Sequence, residues 1–122
     1  MTDPLLAGPF AAVLVGVGGA FGAVSRHAVG LSIDGRESVI VVNALGSLVL
    51  GLVLAAPVGP PTIQFVAVGF CGAFTTFSSF AVETVTTAED GEVGVATGFA
   101  VANLIAAIGT VLAGLAVGGL VW

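Results

Sequence analysis

The stretch V-G-F-C-G-A-F-T-T-F-S-S-F-A-V-E, residues 68–83, decides the fold, and the rest of the chain is organised around it. It is as apolar as a membrane span, yet it carries glycines, hydroxyls and phenylalanines that contact with lipid alone does not require. Inside a bilayer every backbone donor and acceptor must find a partner within the protein. A run dense in Gly, Thr and Ser can form a helix, but it can also break one where the break lines a polar cavity. The stretch therefore predicts a span that lines an ion pathway.

Composition places the chain in the membrane class. Of its 122 residues, 57% are hydrophobic and 7% are charged, whereas a soluble domain has about 25% charged residues. The net charge is −5 and only two residues are basic. Because no basic patch is present, nucleic-acid binding is excluded. We predict an all-α integral membrane protein embedded in a lipid bilayer.

Charge-free segments predict four spans, each close to the roughly 20 residues that cross a bilayer. The connections between them are the polar residues 26–37, the proline-rich sequence A-A-P-V-G-P-P-T at 55–62, and the acidic loop 89–92. Proline removes backbone donors and opposes helix there. The N-terminus lacks the basic flank of a signal peptide, so the first apolar segment is expected to be retained. The prediction is one domain over residues 1–122, with approximate spans 8–26, 38–56, 62–83 and 93–120.

Two features favour assembly of several copies. The only basic residues, Arg26 and Arg36, share one connection, and the acidic loop after the third span lies on the same side. The charge bias that orients membrane proteins is therefore small. Four short spans have little interior, so a pathway is more easily built between subunits. Glycines four residues apart, which let helices approach closely, occur at Gly18 and Gly22, Gly94 and Gly98, and Gly114 and Gly118.

Asn43, near the start of the second span, requires an explanation because an unpaired carboxamide is costly in an apolar environment. One interpretation is a hydrogen bond that joins two helices. The other is a neutral donor to an anion, since its amino group supplies two N–H donors without a full charge. Asn103 and Thr110 form a second polar line on one face of the fourth span, and by themselves they favour helix packing.

The third span is more informative. Thr76, Ser79 and Glu83 fall at positions i, i+3 and i+7, so they share one helical face with Phe80. Phe74, Phe77 and Phe80 step by three, which favours core packing on general grounds. An aromatic ring nevertheless has a positive edge. Ring edges, amide donors and hydroxyl donors together suit a small anion that is held weakly at several positions, as conduction requires.

Other polar residues have simpler interpretations. Arg26 is expected to reach the interface or to bond carbonyl groups at a helix end. Glu83 is close to a loop and is expected to be interfacial and paired rather than a proton relay. His27 is a boundary residue, and Cys71 is expected to pack as a small hydrophobic side chain.

Three motifs together resemble the CrcB/Fluc family of fluoride channels. They are G-G-A-F-G-A-V-S-R at residues 18–26, V-N-A-L-G-S at 42–47 and G-F-C-G-A-F-T-T-F-S-S-F at 69–80. They occur in the family's order on the matching spans, and the third is the specific one. The resemblance implies a four-helix subunit, with its third helix broken near the middle, in an antiparallel dual-topology dimer. It also implies passive export of fluoride from the cytoplasm through the cell membrane.

The resemblance also assigns residues. Asn43 matches the pore amide, and Phe77 and Phe80 match the phenylalanines whose ring edges face fluoride. Thr76, Ser78 and Ser79 match the hydroxyl-bearing part of the motif. Gly72 and Thr75 match the residues whose backbone carbonyls hold a structural sodium ion at the helix break, an arrangement that freed carbonyls at half-helix ends permit.

The chain departs from the family pattern in two places. His27 stands where an aromatic residue is usual. The fourth helix usually carries Tyr and then Ser four residues later, and Phe99 and Asn103 occupy the corresponding positions here. Asn103 joins the predicted pore residues because its carboxamide can donate to an anion. A homodimer is expected, and a heterodimer with a related subunit is the alternative.

Two functions from other classes are alternatives to the channel, and none of the three is an enzyme. A small four-helix proton-coupled multidrug antiporter has a similar size, but its exchange needs a carboxylate inside an early span. The first two predicted spans contain none, which leaves Glu83. A non-transporting membrane assembly protein would explain the glycines, but not the T-T-F-S-S-F sequence after G-F-C-G.

Overall fold

The chain folds into helices that form four membrane-length segments. The structure, a computed structural model, describes residues 8–122. Residues 1–7, the start of the predicted domain, lie outside the described residues. The helices are α1 (Gly8–Ser32), α2 (Gly35–Ala55), α3 (60–74), α4 (Ser78–Glu89) and α5 (Val93–Val121). Four segments are long and apolar enough to cross a membrane, and α3 and α4 together make the third, Pro60–Glu89. The all-α, four-span prediction is therefore confirmed, as is the interruption of the third span.

Two helices extend beyond the predicted membrane spans. α1 continues past Arg26 to Ser32, and the third segment continues past Glu83 to Glu89. In both cases the predicted end was the first charged residue. A charge ends the apolar surface of a helix, but it does not end the helix, whose backbone bonds continue until a turn or a proline.

α3 begins at the proline-rich connection and is not a regular α-helix. Pro60 and Pro61 stand at its first positions, where a missing N–H costs nothing. The segment Ile63–Cys71 is a π-helix. The sequence pattern did not indicate that this segment forms a π-helix, which is wider than an α-helix. Segments of π-helix are rare and frequently accompany functional sites.

Glycines bring the helices into backbone contact in two pairs. α1 crosses α3 where Gly18 and Gly22 face the carbonyl oxygens of Phe65 and Phe70, and α2 crosses α5 where Gly51 faces Gly114. A methyl group at any of these glycines would overlap backbone of the facing helix. The predicted close approach is thus confirmed for Gly18 and Gly22 and for Gly114 and Gly118, but within the described chain it is wrong for Gly94 and Gly98, where a methyl group would meet nothing within 4 Å.

The connection between α4 and α5 is a tight turn. The Gly91 N–H donates to the Ala88 carbonyl at 3.0 Å, and the Glu92 N–H donates to the Thr87 carbonyl at 3.2 Å. Gly91 has φ +87°. These two bonds and the left-handed glycine form a Schellman motif, which ends a helix and satisfies its last carbonyls. The motif sends α5 back alongside α4.

The interior is small, and much apolar surface faces outward. Val42 on α2 is 1% exposed, and Phe74 and Phe99 are also buried. In contrast, Phe21 is 61% exposed and Leu120 is 88% exposed. Such a surface suits lipid or contact with another membrane subunit.

Candidate functional site

The third span is interrupted at residues 75–77. α3 ends at Phe74, Thr75 is extended with φ −78° and ψ 163°, and α4 starts at Ser78. The predicted break at 72–75 is therefore placed too early, because Gly72 is still helical. The Thr75 N–H and hydroxyl both donate to the Cys71 carbonyl, at 3.1 and 2.8 Å. These bonds stabilise the last turn of α3, so the helix continues to Phe74 and the break begins at Thr75.

Asn43 pairs with the backbone of Thr76 at the break. The Asn43 Oδ1 accepts the Thr76 N–H at 2.8 Å, and the Asn43 Nδ2 donates to the Thr76 carbonyl at 3.0 Å. The Nδ2 also donates to Oδ1 of Asn103 at 3.1 Å. Asn43 is 7% exposed and Thr76 is 8% exposed. The carboxamide thus replaces the backbone partners that the broken helix has lost.

The side chain of Thr76 caps the second half of the span. Its Oγ1 accepts the Ser79 N–H at 3.1 Å and lies 3.4 Å from the Ser78 Oγ. The first N–H groups of a helix have no partner within it. Thr76 supplies one such partner, so its backbone is held by α2 while its hydroxyl starts α4.

These bonds leave two carbonyl groups without their helical donors. In a continuous helix the Thr76 N–H would bond to the Gly72 oxygen and the Ser79 N–H to the Thr75 oxygen. Here the first goes to Asn43 and the second to the Thr76 hydroxyl. The Thr75 oxygen instead lies 3.4 Å from NH1 of Arg26. Arg26 therefore bonds a helix-end carbonyl, as predicted, although the carbonyl is that of Thr75, directly after α3.

A cavity of about 510 Å³ opens at the break. Predicted site residues from α2, the break, α4 and α5 meet on its wall. Between them lie apolar residues of α5, and no charged side chain lines it among the described residues. The lining residues are Asn43, Ser47, Thr75, Thr76, Phe77, Phe80, Ala100, Val101, Asn103, Leu104 and Ala107.

The phenylalanines divide at the break rather than forming one ladder. Phe74 is buried and stacks on Phe70 with ring centroids 5.5 Å apart. Phe77 is 78% exposed. Phe80 lies between Phe77 and Phe99, with centroid distances of 5.7 and 5.5 Å. Core packing is therefore the role of Phe74, whereas Phe77 and Phe80 border the cavity.

Comparison with known proteins identifies the family. The profile of the family described as CrcB-like protein, Camphor Resistance (CrcB), matches residues 13–115. The chain belongs to the CrcB family. The resemblance seen in the sequence motifs is thus confirmed over most of the chain, and the four apolar segments are those of a multi-pass membrane protein.

Named relatives of this family are ion channels. "Fluoride-specific ion channel FluC 2" of Natronomonas pharaonis is 55% identical over 109 residues, which cover 88% of this chain and 93% of the relative. "Fluoride-specific ion channel FluC 2" of Haloarcula marismortui is 48% identical over 99 residues, or 78% and 82% of the two chains. "Fluoride-specific ion channel FluC" of Thermus thermophilus is 37% identical over 117 residues, or 88% and 94%. These names describe channels, not enzymes, in agreement with the prediction that this chain is not an enzyme.

Ser78 and Ser79 lie beside the main cavity rather than on its wall. With Val82 and Glu83 they line a second cavity of about 240 Å³. The predicted shared face of Thr76, Ser79 and Glu83 is interrupted because Thr76 lies in the break. Among the predicted residues of this CrcB protein, Gly72 also stays off the main cavity wall.

Glu83 also borders a polar cavity near the α1–α2 connection. This cavity, of about 600 Å³, includes Asp34, Arg36 and Glu37.

NH1 of Arg36 donates to Oγ1 of the buried Thr87 at 3.1 Å, which ties the start of α2 to the end of α4. The Arg36–Thr87 bond was not predicted, because 51 residues separate its partners.

Proposed function

We propose that this chain forms a fluoride-selective channel that exports fluoride from the cytoplasm by passive conduction across the cell membrane. The observation that carries the proposal is the cavity at the helix break, where carboxamides, hydroxyls and aromatic rings meet. The names of the relatives, fluoride-specific ion channels, support the choice of ion.

The proposed pathway uses neutral groups. Thr76 and Asn103 supply hydroxyl and amide groups at the cavity, beside the Asn43 carboxamide on the same wall. Phe77 and Phe80 supply ring edges, which carry partial positive charge. A desolvated anion needs such partners because burial of an unpaired charge is very costly. Because no cationic side chain is present among the described lining residues, the anion is bound only weakly at each position, as rapid passage requires. The hydroxyls of Ser78 and Ser79 extend the path into the adjoining cavity.

The proposed channel is an antiparallel dual-topology homodimer. One chain has only a shallow interior, and Phe77 at the break is 78% exposed. A second copy packed on this face would enclose the cavity and exclude lipid from it. The small charge bias between the two sides of the chain favours insertion in both orientations. A heterodimer is the alternative, because related channels carry the numbered names FluC 1 and FluC 2.

The structural sodium ion is proposed at the freed carbonyls of Gly72 and Thr75. Carbonyl oxygens at unwound helix ends coordinate sodium in membrane proteins. The residues fit, because both oxygens have lost their helical donors to Asn43 and Thr76. Space is also available, since a methyl group placed on Gly72 would meet nothing within 4 Å. The ion, when bound, would supply positive charge that fixes the break. The Thr75 carbonyl oxygen has two lone pairs. Arg26 donates to one of them, and the other remains available to the ion.

Flux from proteoliposomes tests the proposal. Vesicles containing the purified chain are loaded with fluoride or chloride, and efflux is followed with ion-selective electrodes. We expect fluoride release far faster than chloride release, without a pH gradient. Equal chloride flux would refute selectivity, and strict dependence on a proton gradient would favour the antiporter, with Glu83 as its carboxylate. Cross-linking of differently tagged copies distinguishes a homodimer from a chain that needs a partner.

A further inference from the structure

We propose that Asn103, not Asn43, presents the carboxamide N–H donors to the anion, and that Asn43 is a positioning residue that holds Asn103 in this orientation. The inference rests on the proposed function, since it assigns roles within the same pathway. It follows from the order in which hydrogen bonds fix the two carboxamides.

The orientation of Asn43 is set by the protein backbone. The Thr76 N–H can only donate, so the Asn43 atom 2.8 Å from it must be the oxygen. The Thr76 carbonyl can only accept, so the atom 3.0 Å from it must be the nitrogen. Reversal of the carboxamide would break both bonds in a buried place. The usual ambiguity between amide oxygen and nitrogen is therefore removed.

The orientation of Asn103 follows from that of Asn43. The Asn43 Nδ2 has two N–H donors, one engaged by the Thr76 carbonyl and the other by Asn103 at 3.1 Å. The atom of Asn103 that accepts must be its oxygen. Asn43 consequently has no N–H left for an anion, whereas the Asn103 amino group points away from this bond with both N–H donors free.

The free amino group of Asn103 is accessible. Asn103 lines the cavity at the break. Within residues 8–122, every buried side-chain nitrogen or oxygen has a hydrogen-bond partner. The Asn103 Nδ2 has none among these residues, so it keeps accessible surface. The cavity thus receives two donors from Asn103, while its oxygen, which would repel an anion, is turned toward Asn43.

The arrangement also strengthens the donors. A hydrogen bond accepted by a carboxamide oxygen draws electron density from its N–H groups, so bonds in a chain reinforce one another. The chain here runs from Thr76 through Asn43 to Asn103. The break in the third span and the donor on α5 are thereby coupled, and an anion meets neutral donors of fixed direction.

Solid-state NMR tests this assignment, because the sequence has only two asparagines, Asn43 and Asn103. Protein with ¹⁵N in the asparagine side chains is reconstituted in lipid with fluoride, and single substitutions assign the two signals. We expect ¹⁹F–¹⁵N recoupling to dephase the Asn103 nitrogen and to leave the Asn43 nitrogen unchanged. Dephasing of Asn43, or of neither nitrogen, in protein that conducts fluoride would overturn the inference alone. Absence of fluoride flux from the wild type would overturn the proposed function.

Variants test the two roles separately. Asn103→Leu should lower fluoride flux at least about tenfold, roughly the effect of losing one hydrogen bond to an ion, whereas Ile105→Ala, exposed on the same helix, should not. Asn43→Ala should weaken the ¹⁹F dephasing of Asn103, a signal that loss of helix packing alone would not move. Unchanged flux in Asn103→Leu, or unchanged Asn103 dephasing in Asn43→Ala, would contradict the respective role.

Discussion

Substitution of Gly69 by alanine should destabilise the protein by separating α1 from α3. A Cβ at Gly69 would lie 2.6 Å from the Val15 carbonyl oxygen and 3.1 Å from the Gly19 nitrogen. Both are backbone atoms, so no side chain can rotate away. Ordinary contact begins near 3.4 Å, and the helices must therefore part by about 3.4 − 2.6 = 0.8 Å. Overpacking of this kind costs about 1–3 kcal/mol, against up to about 1 kcal/mol gained in helix propensity.

With that gain subtracted, Gly69→Ala should lower the free energy of unfolding by about 0–2 kcal/mol relative to wild type, and by about 1–3 kcal/mol relative to a glycine-to-alanine variant without the overlap. Gly16→Ala on α1 is the matched control, because its Cβ would meet nothing within 4 Å. It should leave stability unchanged or raise it by up to about 1 kcal/mol. The measurement is equilibrium unfolding in mixed micelles, followed by far-UV circular dichroism. Equal stability of the Gly69→Ala and Gly16→Ala variants would refute the close contact between α1 and α3.

Three further predictions concern the break and the path. Asn43→Ala should lower the free energy of unfolding by about 2–5 kcal/mol, since two buried groups of Thr76 lose their partner; a loss below about 0.5 kcal/mol would place it among ordinary surface substitutions. A double-mutant cycle of Arg36→Ala and Thr87→Val should give a coupling energy of about 0.5–1.5 kcal/mol, and strict additivity would show that the bond contributes nothing. Phe80→Leu should reduce fluoride efflux at least about tenfold, an aromatic contribution of about 1.4 kcal/mol, while dimer formation measured by cross-linking persists; normal efflux would remove Phe80 from the path.

Much of the architecture could be predicted because it depends on local signals. Charge-free segments mark the spans, and Pro57, Pro60 and Pro61 mark the connection before the third. The close approach of α1 to α3 follows from Gly18 and Gly22. These signals act through backbone chemistry and through the absence of a side chain, which a sequence displays directly.

The site was predictable in its members but not in their bonds. The motifs named Asn43, Thr76, Phe77 and Phe80, and the spacing on the fourth helix added Asn103. The structure brings all five to one cavity. The sequence did not show that the Asn43 carboxamide is engaged by the Thr76 backbone. Such a bond depends on where two distant segments meet, and periodicity carries no information about it.

The position of the break shows the same limit. The resemblance to the family led to a predicted break at 72–75, but Gly72 remains helical and the chain leaves the helix at Thr75. A helix in a membrane breaks only where other groups satisfy its backbone. Here Asn43 and the Thr76 hydroxyl do so. The partners of the freed backbone groups, rather than the helix propensity of Gly72, determine the position.

The reversal potential of the current through a planar bilayer tests passive fluoride conduction most directly. Purified protein is incorporated, and the fluoride concentration is made tenfold higher on one side at equal pH and equal chloride. Passive fluoride conduction predicts a current that reverses at the fluoride equilibrium potential, about 59 mV per tenfold gradient, and that does not shift when a pH gradient is added. A reversal potential that follows chloride or the pH gradient, or no fluoride current at all, would contradict it.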